Sequence, residues 1–147
     1  MAFERERSAG YLVNWMARLF ARAIDRRLAA LDLTSGYMPV FFALAAGKPL
    51  PQKELARLAA VEQPTMTATL NRMERDGLIE RVTDPADRRS ALVSLSPKAG
   101  AKLRGVQAAV DDTNAEGLAG LSRAEREQFV MLARKVIATL EVALRGE

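Results

Sequence analysis

The sequence contains no cysteine and no histidine among its 147 residues. Without cysteine there is no disulfide framework, no thiolate metal ligand and no thiol redox sensor. Without histidine the chain lacks the usual general base. Together the two absences remove most zinc and copper sites and the Cys/His and Ser/His nucleophile pairs. An active site built from carboxylates alone remains open, and no cofactor is predicted.

Long apolar runs are also missing. No uncharged apolar run approaches the roughly 18 residues that a membrane-spanning helix needs, and the first ten residues carry charges but no apolar segment of the signal-peptide kind. We therefore expect a cytoplasmic protein with no membrane partner. The remaining composition, 49% apolar and 27% charged, lies in the globular range, and the length fits one domain of ordinary size.

Positive charge is concentrated in the middle of the chain. The formal net charge is +4, and residues 48–104 hold 11 basic and 7 acidic residues, whereas residues 105–147 hold 5 and 7. A basic central segment suits a polyanionic partner such as nucleic acid. The excess is modest, so charge alone is a weak indicator.

Apolar periodicity predicts six helices and two strands. The helices are predicted at residues 8–31, 36–46, 51–60, from Pro64 to a stop at Gly77, from Pro97 to about 119, and at 123–145; the strands are predicted at 78–83 and 91–96. The apolar stripe of the first helix is broad, so this helix is either part of the core or shared between two chains. Ser122 to Glu125 has the pattern of a capping box.

Two short helices around residue 62 have the pattern of a helix-turn-helix. The second has an apolar back and a polar front, so its back is expected to dock on the first helix while its front enters a major groove. The front carries small hydrogen-bonding side chains flanked by two arginines: Gln63, Thr65, Thr67, Asn71, Arg72 and Arg75. An ordinary amphipathic surface helix is the alternative, and this helix alone does not decide between them.

The two strands that follow predict a hairpin, or wing, beside that helix. Arg88 and Arg89 near its tip are suited to a narrow, strongly negative minor groove. Asp87 would orient one guanidinium by a bidentate pair. The alternatives are a solvated charged turn for the arginines and turn capping for Asp87.

From Leu50 to Gly100 the sequence resembles the MarR family of bacterial winged-helix regulators. The matching motifs are Leu-Ala, Pro-Thr, Arg-Met-Glu, Gly-Leu-Ile-Glu-Arg, Asp-Arg-Arg and Val-x-Leu-Ser, in that order. The resemblance implies a mainly α (α+β) fold: a winged helix-turn-helix with a two-stranded wing, and N- and C-terminal helices that form a dimerisation region. The expected division of the single chain 1–147 is a DNA-binding region at 36–96 and dimerisation helices at 1–35 and 97–147.

The resemblance also implies a function and residues that perform it. We expect a sequence-specific transcriptional regulator, a ligand-responsive repressor that binds a palindromic operator in double-stranded DNA as a homodimer. Residues 63–75 would be the recognition helix, and Arg89, or alternatively Arg88, the wing-tip arginine. The expected DNA-binding residues are Gln63, Pro64, Thr65, Thr67, Ala68, Asn71, Arg72, Arg75, Asp87, Arg88 and Arg89. Ala68 departs from the family, where many members have arginine, and would offer an apolar contact such as one to a thymine methyl.

A small aromatic or lipophilic acid is the expected effector. The predicted pocket wall consists of Trp15, Tyr37, Met38, Phe41 and Arg81, with Arg81 as carboxylate partner. The alternative, which the pattern favours, makes the aromatics core residues and pairs Arg81 with Glu80, Asp84 or phosphate.

Two other functions compete with DNA binding. A winged helix can serve as a protein-interaction module, although such a surface does not need paired arginines at the wing tip. An enzyme is disfavoured because the sequence has no GxGxxG or GxxxxGK stretch and no metal constellation.

Overall fold

The structure, a computed structural model, describes residues 3–146. Six α-helices and three short strands follow one another along the chain and confirm the predicted mainly α winged-helix class. The helices are α1 (Ala9–Leu28), α2 (Met38–Leu44), α3 (Gln52–Ala59), α4 (Gln63–Arg75), α5 (Pro97–Gly117) and α6 (Arg123–Ala143). The strands are β1 (Leu50–Pro51), β2 (Ile79–Asp84) and β3 (Asp87–Leu95).

The sheet has three strands, not the two predicted, in the order β1-β3-β2 with antiparallel pairing. The additional strand is β1, in which Leu50 lies opposite Val93. Apolar periodicity predicted no strand here. Two residues carry no periodicity, and their strand conformation comes from pairing with Leu92 and Val93 of β3, which lie more than 40 residues further along the chain.

The hairpin of β2 and β3 is longer than predicted. Asp84 pairs with Asp87, so only Pro85 and Ala86 form the turn, and β3 begins four residues before the expected start at residue 91. The first residues of β3 are polar and exposed. Apolar alternation therefore could not reveal them, although polar residues pair their backbones as well as apolar ones do.

The chain divides into two compact units, one up to Val110 and one from Asp111 onward. The first contains α1–α4, the sheet and most of α5; the second contains the end of α5 and α6. The boundary between these units falls inside α5, and the division by function, with boundaries at residues 35/36 and 96/97, stays a prediction. Residues 1, 2 and 147 of the predicted single domain lie outside the described residues.

The core of the first unit lies between the short helices and the sheet. Its least exposed large side chains come from several elements: Leu28, Phe41, Leu44, Leu55, Leu70, Met73, Leu78 and Val93. Helix α4 contributes Met66, Leu70 and Met73, which follow each other at helical spacing and form its predicted apolar back. Burial of this stripe positions the opposite face of α4 at the surface.

Helix α6 in the second unit has no buried residue along its 21 positions. The capping box predicted at its start is present, since Ser122 Oγ accepts from the Glu125 amide and Glu125 accepts from the Ser122 amide. Its large apolar residues are about half exposed: Val130, Met131, Leu132, Val136, Ile137, Leu140 and Val142. Helix α1 in the first unit is similar, with only Leu28 buried. These faces are uncovered in the single chain.

Candidate nucleic-acid interface

Helix α4 begins and ends as its local sequence predicts. Pro64 lies in the first turn, where its missing N–H leaves no hydrogen bond unmade. Gly77 adopts a left-handed conformation (φ +73°) just after the helix, and the Leu78 amide donates to the Met73 carbonyl at 2.8 Å. The helix therefore presents one short, sharply bounded surface.

The outer face of α4 brings together five of the predicted DNA-binding residues. They are all exposed: Pro64, Thr65, Ala68, Arg72 and Arg75. Among the residues that the structure describes, none of these side chains makes a hydrogen bond or ion pair within the protein. The face is thus polar and basic at its C-terminal end, and small at its centre, where Ala68 permits close approach to a base edge.

One flank of α4 is held by α3. Gln52 Nε2 donates to Thr67 Oγ1 at 2.6 Å and to Gln63 Oε1 at 3.4 Å, and Thr67 Oγ1 donates to the Gln63 carbonyl at 3.0 Å. The predicted readers Gln63 and Thr67 are therefore exposed but already engaged. The sequence did not identify Gln52, because no spacing rule connects a residue of one helix with a flank of the next.

The base of the wing contacts the same flank further along. Arg81 Nη2 donates to Asn71 Oδ1 at 3.0 Å, and Arg81 Nε lies 3.5 Å from Glu74 Oε2. Arg81 is thus paired with Glu74, which the sequence did not suggest, and not with its chain neighbours Glu80 or Asp84. Helix and wing are joined directly through side chains.

The wing tip is shaped by two aspartates. Asp84 Oδ1 accepts from the Ala86 amide at 2.9 Å, and Asp87 Oδ1 accepts from the Arg89 amide at 3.0 Å. The expected bidentate pair between Asp87 and a guanidinium is absent from the described part of the chain; Asp87 instead caps the turn, as Asp side chains commonly do. Arg88 and Arg89 are exposed at the start of β3.

The C-terminal end of α4 is tied to the rest of the first unit. Tyr37 Oη donates to Asp76 Oδ2 at 2.7 Å, and Lys98 Nζ donates to the Asp76 carbonyl at 2.8 Å. Burial, followed by this hydrogen bond to Asp76, raises the pKa of Tyr37 to about 12. The phenol therefore stays protonated and keeps its donor through the physiological range.

The predicted effector residues are spread over different environments. Tyr37, Met38 and Phe41 are buried in the core of the first unit. The alternative that the aromatics are core residues therefore holds for Tyr37 and Phe41, whereas Trp15 is half-buried and lies outside this core. Trp15 lies under the Arg5 guanidinium, whose Cζ is 4.7 Å from the ring centroid. Phe41 also lines a cavity of about 50 Å³ together with Phe42, Leu103 and Val106.

Neither a metal centre nor a membrane span is found within residues 3–146. No three His, Cys, Asp or Glu side chains among them are grouped so that they could hold a metal ion. None of the helices described combines the length and the apolar character needed to cross a bilayer.

Comparison with known proteins gives concordant matches. Residues 31–90 match the sequence profile of the MarR family. The chain is similar to the crystal structure of a probable transcriptional regulator from Pseudomonas aeruginosa, with 31% identity and a TM-score of 0.82 over 90% of this chain and 99% of the other.

Two further solved structures are similar over most of both chains. A MarR mutant from E. coli, complexed with operator DNA, shares 25% identity and a TM-score of 0.79, covering 86% of this chain and 91% of that one. BpsR of Bordetella bronchiseptica, whose DNA binding is regulated by 6-hydroxynicotinic acid, shares 24% identity and a TM-score of 0.82, covering 92% and 97%. At 24% identity, the match to BpsR shows the fold alone.

Proposed function

The chain belongs to the MarR family of DNA-binding transcriptional regulators, and we propose that it represses transcription by binding a palindromic operator as a homodimer. The observation that carries the proposal is the junction of α4 with the wing. Because Arg81 of β2 is bonded to Asn71 of α4, the helix and the hairpin form one unit that meets DNA together.

This unit suits two adjacent grooves of a duplex. A major groove about 12 Å wide admits an α-helix, and α4 offers it Thr65, Ala68, Arg72 and Arg75. The wing then extends toward the neighbouring minor groove with Arg88 and Arg89 exposed at its tip. Arginine is favoured in a narrow minor groove because the potential there is strongly negative.

Dimerisation is supported by the uncovered faces of α6 and α1. On α6, Phe129, Val136 and Leu140 recur at intervals of seven and four residues and so share one face of the helix. A face of this kind on a helix without a single buried residue is unfavourable in water. We propose that the equivalent helices of a second copy cover it.

A symmetric dimer presents two identical reading units and therefore predicts an inverted repeat. The centres of the two half-sites should lie about one helical turn apart, roughly 34–36 Å. Selection of bound sequences from random duplex DNA tests this directly. An inverted repeat with that spacing supports the proposal, whereas a single unrepeated motif argues against the dimer, and no enrichment at low salt favours a protein-interaction module.

Repression needs only occupancy of an operator that overlaps a promoter, whereas activation requires a further surface for polymerase. We therefore propose repression as the output. Transcription in vitro from a promoter that carries the selected site measures it: added protein should reduce the transcript, and an increase would identify an activator.

We also propose that a small aromatic or lipophilic acid modulates binding, a part of the proposal that rests on family membership. Such a ligand changes operator affinity only if it binds one arrangement of the dimer more tightly than another. Benzoate and octanoate are suitable probes. Each should shift the operator titration at millimolar concentration, and sodium chloride at matched ionic strength is the control because salt alone weakens DNA binding.

A further inference from the structure

The contact between Arg81 and Asn71 does more than join the wing to the helix. Arg81 lies near the middle of β2, opposite Val93, and its guanidinium reaches α4. There Nη2 donates to Asn71 Oδ1 at 3.0 Å, while Nε lies 3.5 Å from the carboxylate of Glu74. Asn71 and Glu74 are three residues apart, so they are neighbours on one flank of the helix.

The chemistry of the guanidinium decides which atom of Asn71 it holds. Arginine offers only hydrogen-bond donors, so its partner must be the carbonyl oxygen of the amide and not the nitrogen. The Asn71 nitrogen keeps its two donors. In the usual pairing of asparagine with adenine, the oxygen accepts from N6 while the nitrogen donates to N7. Arg81 therefore uses one of the two lone pairs of the oxygen that this pairing needs.

The Arg81 guanidinium is positioned by contacts within the protein, in the absence of DNA. The Arg81 side chain is only 27% exposed, and its Nε is buried and has no hydrogen-bond partner among the described residues. A buried unpaired donor is costly, and the Glu74 carboxylate provides the nearby opposite charge that offsets part of this cost. Arg81 is thus placed by the fold, and the Asn71 oxygen is engaged as a consequence.

We propose that Arg81 is a specificity-determining positioning residue: it engages the Asn71 oxygen, leaves the two Asn71 donors open, and so makes Asn71 prefer guanine to adenine. The inference rests on the proposed operator binding. Guanine presents two acceptors, O6 and N7, in the major groove, whereas adenine presents one acceptor and one donor. The two donors of the Asn71 nitrogen suit the guanine edge, whereas adenine N6 would have to share the Asn71 oxygen with the cationic donor that already uses one of its lone pairs.

The experiment is selection from random duplexes with wild type, Asn71→Ala and Arg81→Leu, followed by affinity measurements on two duplexes. The position at which Asn71→Ala abolishes the base preference identifies the Asn71 contact. Two duplexes that carry G·C or A·T at that position are then compared. Their affinity ratio cancels any uniform loss caused by removing the positive charge of Arg81.

Wild type should carry G·C at that position. Arg81→Leu frees the Asn71 oxygen and should shift the affinity ratio toward A·T by roughly tenfold, the usual size of discrimination by a good base contact. Arg81→Lys keeps a charged donor and should retain the guanine preference. Glu80→Gln changes the adjacent residue, whose side chain lies on the other face of the strand, and should leave the ratio unchanged.

Several results would overturn the inference. A wild-type A·T preference at the Asn71 position contradicts it, and so does an unaltered ratio in Arg81→Leu or a base preference that survives Asn71→Ala. If Arg81→Leu does not melt cooperatively, the variant is not folded and its affinity ratio is not used. The inference is then tested by the base that wild type selects at the Asn71 position, which should be G·C. Failure of wild type to enrich any sequence is a different outcome, because it removes the proposed operator binding itself.

Discussion

Truncation of Leu140 tests whether the uncovered face of α6 joins two copies of the chain. Leu140 is 54% exposed in the single chain. Complete burial of a leucine side chain is worth about 1.5–3 kcal/mol, so covering the remaining half contributes roughly 0.8–1.6 kcal/mol. In a two-fold interface each substitution occurs twice, which gives about 1.5–3 kcal/mol per dimer for Leu140→Ala.

That free energy corresponds to a rise in the dimer dissociation constant of about 10- to 150-fold. Sedimentation velocity over a concentration series measures the change. Leu140→Glu should have a larger effect, because it also introduces a charge into an apolar contact. Operator affinity should fall with it, since the second half-site no longer binds at a high effective concentration.

The same helix provides a matched control. Val142 is 61% exposed but lies two residues further along, on nearly the opposite side of α6. Val142→Ala should leave the dissociation constant unchanged, and helix content by circular dichroism should be the same in all variants because neither side chain is buried. Equal effects of Leu140→Ala and Val142→Ala, or a Leu140→Glu variant that still sediments as a dimer, would refute the reasoning.

Three other substitutions test the interface and the first unit. Arg89→Ala at the wing tip should weaken operator binding by about 1–3 kcal/mol and lower its salt dependence; unchanged affinity in fluorescence anisotropy would remove the wing from the interface. Gly105→Ala should be less stable than Gly100→Ala on the same helix, because a Cβ at Gly105 lies 2.9 Å from a leucine side chain whereas one at Gly100 meets nothing within 4 Å. Chemical denaturation measures the difference, and an equal gain in both variants contradicts it. Tyr37→Phe should lower the free energy of unfolding by about 0.5–1.5 kcal/mol through loss of the bond to Asp76. The folded protein holds the Tyr37 proton more tightly, with the pKa raised from 10.0 to about 12. The contribution of Tyr37 to the free energy of unfolding is therefore present below pH 10 and lost as pH rises toward 12. If the stabilities of wild type and Tyr37→Phe change in parallel between pH 10 and 12, this expectation is wrong.

Local sequence was sufficient to predict α4, with a start at Pro64, one residue after the observed start at Gln63, and a stop at Gly77. Pro64 and Gly77 act through their own backbone geometry, and the apolar stripe at Met66, Leu70 and Met73 follows from the helical repeat. The capping box at Ser122 was predictable for the same reason, because Ser122 and Glu125 are only three residues apart. By contrast, β1 was missed because it consists of two residues whose conformation depends on pairing with β3.

Contacts between distant residues were beyond prediction. The Tyr37–Asp76 bond joins residues 39 apart, and Arg81 reaches Asn71 across ten residues and a turn. No periodicity relates such pairs; they meet only because α2, α4 and the sheet pack around one core. The prediction for Asp87 failed in a different way, because a local turn offered its carboxylate a backbone amide at 3.0 Å.

Local sequence thus accounts for helix α4, the hairpin that follows it, the family and the basic character of the central segment. These depend on spacing, capping and composition, which act within a few residues. Which polar side chains of α4 are hydrogen-bonded within the protein, and which are open, follows from packing between elements. Hydrogen bonds to Gln52 and Arg81 occupy one flank, and that selection depends on how α3 and β2 pack against α4.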